Sequence, residues 1–183
     1  MIAWLLLSIP EDEFKFAGFG PYGDELRSCY RYDSRVPNHK RIEPNHLAAV
    51  RTNSQLVGVA RIARIETSEG TKALLRCPMC SSTNLQRRKR KLPPFVCASC
   101  RASFESPREE TVPVTKFAAH FEQPFCDTPD AIPLSVLCKA CPKYSQYLSM
   151  QRMEAEALLA TLIPRFPKIK FHLQERECRN GVK

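Results

Sequence analysis

The residues best suited to chemistry are four cysteines arranged as two Cys-x-x-Cys pairs. Cys77 and Cys80 form the first pair, and sixteen residues separate it from the pair Cys97 and Cys100. Two pairs at this spacing are typical of zinc sites. Four thiolates complete a tetrahedral shell and leave no position for water, so such a site is structural rather than catalytic. We therefore predict one structural Zn²⁺ ion, against the alternative of four unliganded core cysteines.

A second Cys-x-x-Cys pair, Cys138 and Cys141, stands farther along the chain. It has the spacing of a zinc knuckle, but only the isolated Cys126 and Cys178 accompany it. A complete zinc shell needs four ligands, so we expect buried or idle thiols here rather than a second metal site.

A run of cations lies between the two knuckles of the first site. Its members are Arg87, Arg88, Lys89, Arg90 and Lys91. Such runs are often solvated surface loops, but this one is pinned at both ends by the expected metal site, which lowers the entropy cost of docking on a phosphate backbone. The chain also carries a formal charge of +9. We therefore predict contact with the backbone of a nucleic acid.

The segment from Tyr30 to Arg41 combines the side chains needed to read a base. Aromatic rings can stack on a base, carboxylate, hydroxyl and amide groups can bond to its edge, and cations can hold phosphates. The alternative is a tyrosine-bearing strand followed by a turn at Pro37. The predicted base-pocket residues are Tyr30, Tyr32, Asp33, Ser34 and Asn38, and the predicted phosphate contacts are Lys40 and Arg41.

The elements expected to position these groups are mostly strands, because apolar and β-branched residues cluster in short runs between turn formers. A helix is expected over 154–163, ending before Pro164. The sequence therefore predicts a β-rich α+β fold. The expected strands are 1–9, 28–33, 47–51, 56–65, 71–76, 112–121 and 147–153, with a loop over 122–133.

Composition fits a folded, soluble chain with a single main domain and an insertion. Apolar residues make up 43% and charged residues 26% of the 183 positions. The apolar run after Met1 lacks preceding cations and a cleavage site, so it reads as a buried strand and not as an export signal. We expect a cytoplasmic protein with no membrane span. The sequence offers no paired nucleophile and base and no open metal site, so we predict no catalytic residue in this chain.

Several of these segments together resemble one family. They are 4–7, 32–34 with 36–39, 56–62 with Ile65, and the ribbon from Leu75 to Phe104. The chain resembles, over about residues 1 to 163, the N-terminal domain that precedes HNH nuclease domains in bacterial modification-dependent restriction enzymes. That domain is similar to the PUA-like fold of SRA and EVE base readers. The sequence departs from the pattern at Asn45-His46, where a Gly-Asp turn is expected, and it contains no recognisable HNH motif.

The resemblance implies a fold, a domain division and a function. The fold would be a PUA-like curled barrel with an inserted four-cysteine zinc ribbon. The barrel would span 1–73 and 105–163, the ribbon 74–104, and a tail or linker 164–183. The function would be recognition of a modified base in duplex DNA, with modified cytosine expected and base flipping as the mechanism. The module would direct an HNH nuclease domain in a longer protein. The alternatives are an RNA-binding protein with the same two modules and an enzyme in its own right.

Overall fold

The structure, a computed structural model, describes residues 1–9, 18, 20–128, 132–167 and 169. It contains ten strands and two helices. The strands are β1 (Ile2–Leu7), β2 (Cys29–Asp33), β3 (Leu47–Arg51), β4 (Leu56–Arg76), β5 (Leu85–Arg87), β6 (Phe95–Cys97), β7 (Ser103–Phe104), β8 (Arg108–Phe121), β9 (Cys126–Asp127) and β10 (Met150–Glu154). The helices are α1 (Leu134–Lys139) and α2 (Ala155–Leu162). The β-rich α+β class predicted from the sequence is confirmed.

Seven strands form one mixed sheet in the order β10-β1-β3-β4-β8-β2, with β9 paired to β4. Strand β1 lies inside this sheet, parallel to β3 and antiparallel to β10. Its apolar run is therefore buried, as expected for a strand with both faces covered. Ala3, Trp4, Leu5 and Leu6 are all at most 1% exposed.

Strands β3 and β4 form the hairpin predicted from the sequence, with Leu47 opposite Arg61 and Val50 opposite Gly58. Strand β4 differs from the prediction in its length. The sequence suggested a break between 56–65 and 71–76, whereas β4 runs without interruption for 21 residues. The reason is that the polar segment around Gly70 still pairs in the sheet, where exposed positions need no apolar side chain.

The sheet is open in its strand order: among the described residues no ladder joins β2 to β10. Two side-chain contacts nevertheless link β2 and the segment after it to residues 149 and 150. The Tyr30 hydroxyl lies 3.5 Å from the carbonyl oxygen of Ser149, and Asn38 Nδ2 donates to the carbonyl oxygen of Met150 at 3.0 Å. The strand segment 28–33 and the segment after it are thus tied to the start of β10.

The main core is formed by one face of the sheet together with the helices. Helix α2 contributes Ala155, Leu158 and Leu162, which share one face because they lie three or four residues apart. The helix was predicted over 154–163 and is confirmed. Helix α1 contributes the buried Leu137. It was not predicted, because its six residues are too few to show helical periodicity.

The chain divides into two compact units. The first comprises 1–8, 24–67 and 117–183, and the second comprises 9–23 and 68–116. The second unit contains a three-stranded sheet in the order β5-β6-β7, which carries the cysteine pairs at its ends. In the part of the chain that the structure describes, no helix is long and apolar enough to cross a membrane.

Candidate metal centre

The sulfur atoms of Cys77, Cys80, Cys97 and Cys100 converge on one point in the second unit. All four lie within 4.8 Å of one another. Cys77 Sγ is 3.6 Å from Cys100 Sγ, and Cys80 Sγ is 3.6 Å from Cys97 Sγ. A tetrahedron with metal–sulfur bonds of about 2.3 Å has sulfur–sulfur edges of about 3.8 Å. The observed edges therefore fit a single Zn²⁺ ion.

The two halves of the site are built from the same backbone turn. In the first half, the N–H of Ser81 donates to the carbonyl of Cys77 at 2.9 Å. In the second half, the N–H of Arg101 donates to the carbonyl of Cys97 at the same distance. Ser81 and Arg101 have φ angles of 58° and 65°, a left-handed conformation that is uncommon for residues other than glycine. Each knuckle thus holds its two thiols by a strained turn.

The turns also direct N–H groups at the sulfur atoms. The N–H of Met79 donates to Cys77 Sγ at 3.4 Å. Backbone N–H groups of Cys100 and Ser99 lower the pKa of the Cys97 thiol to about 6. The N–H of Ser82 acts in the same sense on Cys80, but hydrogen bonds with the neighbouring thiols raise the pKa of that thiol to about 12. The pKa shifts of Cys97 and Cys80 are opposite because a thiolate at Cys97 accepts a hydrogen bond from the Cys80 thiol. A bound cation would favour the thiolate form of its ligands.

Little other than these thiols holds the three-stranded unit together. Its buried core consists of Cys77, Leu85 and Cys97, with Leu75, Ala102 and Phe104 packed against it. A hydroxyl contact of 2.9 Å between Ser82 and Ser99 joins the two knuckles. The donor set, its spacing and this small core all fit a structural metal ion. The predicted zinc ligands are thus brought together, and a single site is supported.

The cation run predicted to contact phosphates forms the loop after β5. Arg88 forms hydrogen bonds within this loop. Its N–H donates to the Pro94 carbonyl at 2.7 Å, and its guanidinium donates to the Pro93 carbonyl. The Arg87 guanidinium lies 6.0 Å from the centre of the Phe95 ring. Lys89, Arg90 and Lys91 are exposed and, in the described part of the chain, have no carboxylate partner. These last three cations are the ones free to meet an anion.

The Lys and Arg side chains of the ribbon are not balanced by any acidic side chain between Cys77 and Phe104. Between Cys77 and Phe104 the sequence contains six Lys and Arg residues, and Asp and Glu do not occur there. Four thiolates with one Zn²⁺ would contribute a charge of −2, which leaves the loaded ribbon with a net charge of about +4. A segment with this excess attracts anions to its surface.

The structure places the predicted base-pocket residues mostly inside the first unit. Tyr30, Tyr32 and Asp33 are each at most 3% exposed, and Ser34 is half-buried. Asp33 Oδ1 accepts a hydrogen bond from the N–H of Arg35 at 2.8 Å and so holds the turn after β2. Asn38, half-buried, adopts a φ of 70°. Lys40 and Arg41 follow on the exposed surface.

The two tyrosines belong to an aromatic stack that the sequence did not reveal. Tyr32 lies parallel to Phe117 of β8, with ring centres 4.9 Å apart, and Tyr30 lies 5.9 Å from Tyr32. The ring centres of His39 and Phe117 are 5.8 Å apart. Phe117 and His39 are half-exposed, so a base approaching this segment would meet them before the tyrosines. Phe117 was missed because it lies 85 positions after Tyr32, and only strand pairing joins them.

One polar atom in this stack is unsatisfied. The Tyr32 hydroxyl is buried and, among the described residues, has no hydrogen-bond partner. Burial alone accounts for the raised pKa of this phenol. A buried hydroxyl without a partner costs free energy, so such groups call for a structural or functional explanation.

No protein-family model, characterised protein or solved structure matches this chain. The family resemblance therefore stays a prediction based on the residues. The four-cysteine cluster and the mixed β-sheet are what the structure adds to it.

Proposed function

We propose that this chain is a DNA-binding specificity module that recognises a modified base, with modified cytosine as the expected target. The observation that carries the proposal is the zinc-ribbon loop, which presents Lys89, Arg90 and Lys91 within a segment, 77–104, that contains no Asp or Glu. The hairpin of β5 and β6 joins this loop to the cysteine pairs. Holding the cations on that hairpin reduces the entropy lost on docking to a phosphate backbone.

The finer fold in this proposal is a PUA-like curled barrel. The hydrogen bonds from Tyr30 to Ser149 and from Asn38 to Met150 support it, because they bring β2 and the turn after it close to the start of β10. Curling a sheet in this way protects its edges and creates a concave face, where base readers of this kind accept an extruded nucleotide.

The base site is proposed at the segment from Tyr30 to Asn38 together with Phe117. A base in a duplex hides its face, so it must be flipped out before a protein can stack on it. The half-exposed rings of Phe117 and His39 offer the stacking surface, and the buried Tyr32 ring stacks on Phe117. The unsatisfied Tyr32 hydroxyl supplies a polar group for a base edge. Asp33 and Asn38 act by holding the loop in place.

In this proposal the module directs a nuclease domain of the HNH type in a longer protein, and its own role is binding. The competing function is RNA binding, which the cationic ribbon favours equally because phosphate contacts carry no information about the base or the sugar. Base preference therefore distinguishes the two functions, and ribbon charge alone does not.

The experiment measures binding of the zinc-loaded protein to three ligands over a series of salt concentrations. The ligands are a duplex with one modified cytosine, the same duplex unmodified, and a structured RNA. We expect the modified duplex to bind most tightly at each salt concentration. Equal affinity for both duplexes, or tighter binding of the RNA, would overturn the proposal.

Two sets of variants assign the contributions. Replacing Lys89, Arg90 and Lys91 by Gln should make the plot of log affinity against log salt concentration shallower. The slope should change by about 2.7, at about 0.9 for each lost phosphate contact. The matched control neutralises Lys139, Lys143 and Arg152, which are equally exposed but lie in the first unit. An equal change in the salt dependence of both triple variants would mean that the loop makes no special contact with phosphates.

Tyr32→Phe tests the base site without disturbing packing. The free protein should keep its stability, because the hydroxyl that is removed makes no hydrogen bond within the described structure. Its preference for modified over plain DNA should fall, while the salt slope stays unchanged. A variant that discriminates as well as the parent would place the base site elsewhere.

A further inference from the structure

The second Cys-x-x-Cys pair, which the zinc site does not use, lies where α1 ends. Cys138 belongs to the last turn of α1, and the N–H of Cys141 donates to its carbonyl at 3.1 Å. A backbone bond between residues three apart closes a turn whose end Cα atoms are less than about 7 Å apart. Disulfides require Cα separations below about 7 Å. The turn therefore holds the two cysteines within bonding range.

The two thiols differ in their access to solvent. Cys138 is half-buried, whereas Cys141 is 6% exposed and packs in the main core beside Ala140. A reagent from solution would thus reach Cys138 first. Cys141 is the more buried of the two thiols. It would act second, by attacking the mixed disulfide formed at Cys138.

A buried arginine lies near this turn. Arg51, at the end of β3, is 4% exposed, and its Nη1 donates to the Thr52 carbonyl at 3.0 Å. Its Nε is buried without a hydrogen-bond partner in the described part of the chain. Burial raises the pKa of the Cys141 thiol to about 11, and the Arg51 charge opposes that rise. The same charge acts on the Tyr144 hydroxyl, which is hydrogen-bonded to Cys138.

A buried guanidinium normally faces an anion, since an unpaired charge in the protein interior is costly. No described carboxylate forms an ion pair with Arg51. The Arg51 charge acts on the Cys141 thiol and on the hydroxyls of Tyr30 and Tyr144. A thiolate formed at this turn would supply the missing negative charge.

We propose that Cys138 and Cys141 form a reversible disulfide by exchange with a small organic disulfide, and that Arg51 stabilises the Cys141 thiolate, which attacks in the second step. Neither cysteine is a predicted zinc ligand or a residue of the proposed base site.

The exchange takes place in two steps. The Cys138 thiolate attacks one sulfur of the small disulfide, whose S–S bond breaks and releases one thiolate. The Cys141 thiolate then attacks Cys138 Sγ, breaks the mixed disulfide and releases the second thiolate. The protein loses two thiol protons and two electrons, and the small disulfide gains both as two thiols.

The test incubates zinc-loaded protein with oxidised glutathione, blocks the remaining thiols with an alkylating reagent, and maps the peptides after trypsin. Trypsin cleaves after Lys139 and separates the two cysteines, so that their disulfide appears as two linked peptides. We expect this linked pair to form, to disappear on reduction, and to be accompanied by one zinc ion per chain throughout.

Variants identify the roles of the residues. Cys138→Ser should abolish the linked pair, and the control Cys126→Ser, which removes another buried free thiol, should leave it unchanged. Arg51→Gln should slow the second step about tenfold, because the Cys141 thiolate loses a neighbouring positive charge. Fully alkylated Cys138 and Cys141 after incubation would overturn the proposal. A second zinc ion that is lost in Cys138→Ser would overturn it as well. Both results can be read from the parent and Cys138→Ser even if Arg51→Gln fails to fold.

Discussion

The zinc ribbon and the main sheet are stabilised in different ways. The main sheet buries a cluster of sixteen residues drawn from seven separate segments of the chain, including α2 and β1. The ribbon buries only Cys77, Leu85 and Cys97, and two of these are metal ligands. A unit of this size cannot remove enough apolar surface from water to fold unaided, and a metal ion commonly supplies the difference. Bound metal, and not the packing of apolar side chains, should therefore determine the stability of the ribbon.

The largest expected effect follows from removing one zinc ligand. Cys97→Ser should lose the ion, because three thiolates and a hydroxyl bind zinc far more weakly than four thiolates. Residues 77–104 should then exchange their amide hydrogens freely, while β1 and β3 stay protected. Elemental analysis and hydrogen exchange measured on the same sample check both parts.

The matched control for that experiment is Cys126→Ser, which alters a buried thiol of the main core. It should keep the zinc and the protection of 77–104. If instead Cys97→Ser retained a protected ribbon, the metal would not be what holds this unit together.

A smaller effect, confined to the main sheet, is expected from Gly58→Ala. A Cβ at this position would lie 2.4 Å from the Cys126 carbonyl oxygen and 2.4 Å from the Phe125 ring, so β9 would have to move away from β4. Overpacking of this kind costs about 1 to 3 kcal/mol. Denaturant unfolding should show that loss with the zinc content unchanged.

Gly70→Ala is the internal comparison, since Gly70 lies in the same strand. Its added Cβ would meet only the flexible side chain of Lys116, which can turn aside. Its stability should stay within about 0.5 kcal/mol of the parent, as is usual for surface substitutions. Equal losses in the two variants would mean that strand propensity, and not the contact with β9, sets the requirement for glycine at position 58.

The same two regions differ in how far the sequence predicts them. The zinc ligands could be identified because their chemistry is local: the spacing within Cys77-x-x-Cys80 forms a knuckle by itself. The hairpin of β3 and β4 was also predictable, since its strands are adjacent in the chain and separated by the turn residues Thr52, Asn53 and Ser54.

The order of the main sheet was not predictable. Strand β1 pairs with β10, about 150 positions later, and no periodicity in either segment specifies that partner. Phe117 and Tyr32 meet for the same reason, through the pairing of β8 with β2. The positive φ angles of Ser81 and Arg101 escaped prediction too, because glycine is the residue that signals such a turn.

The smallest expected effect is a loss of stability of the main sheet in acid. The main sheet and the zinc ribbon should respond to acid through different titrating groups. His46 Nδ1 accepts hydrogen bonds from Trp4 Nε1 and from the N–H of Glu43, both at 3.1 Å, so the ring must be neutral with its proton on Nε2. Burial lowers the pKa of His46 below its usual value. A lowered pKa in the folded state means that the unfolded chain binds the proton more readily. The contribution of His46 to stability is therefore complete above the unfolded pKa of about 6.5 and is lost as pH falls through the folded value.

Trp4 is the single tryptophan of the chain, so its fluorescence reports this hydrogen bond directly. We expect the emission to change as pH falls below about 6.5, in step with protonation of His46. His46→Asn should remove the change, because its amide oxygen can accept from Trp4 Nε1 and does not titrate. Zinc release, followed in the same titration with a chelating dye, depends on protonation of the four thiolates and should keep its own midpoint in the variant. If the midpoint of zinc release also changed in His46→Asn, the main sheet and the zinc ribbon would be coupled, and their stabilities would not be independent.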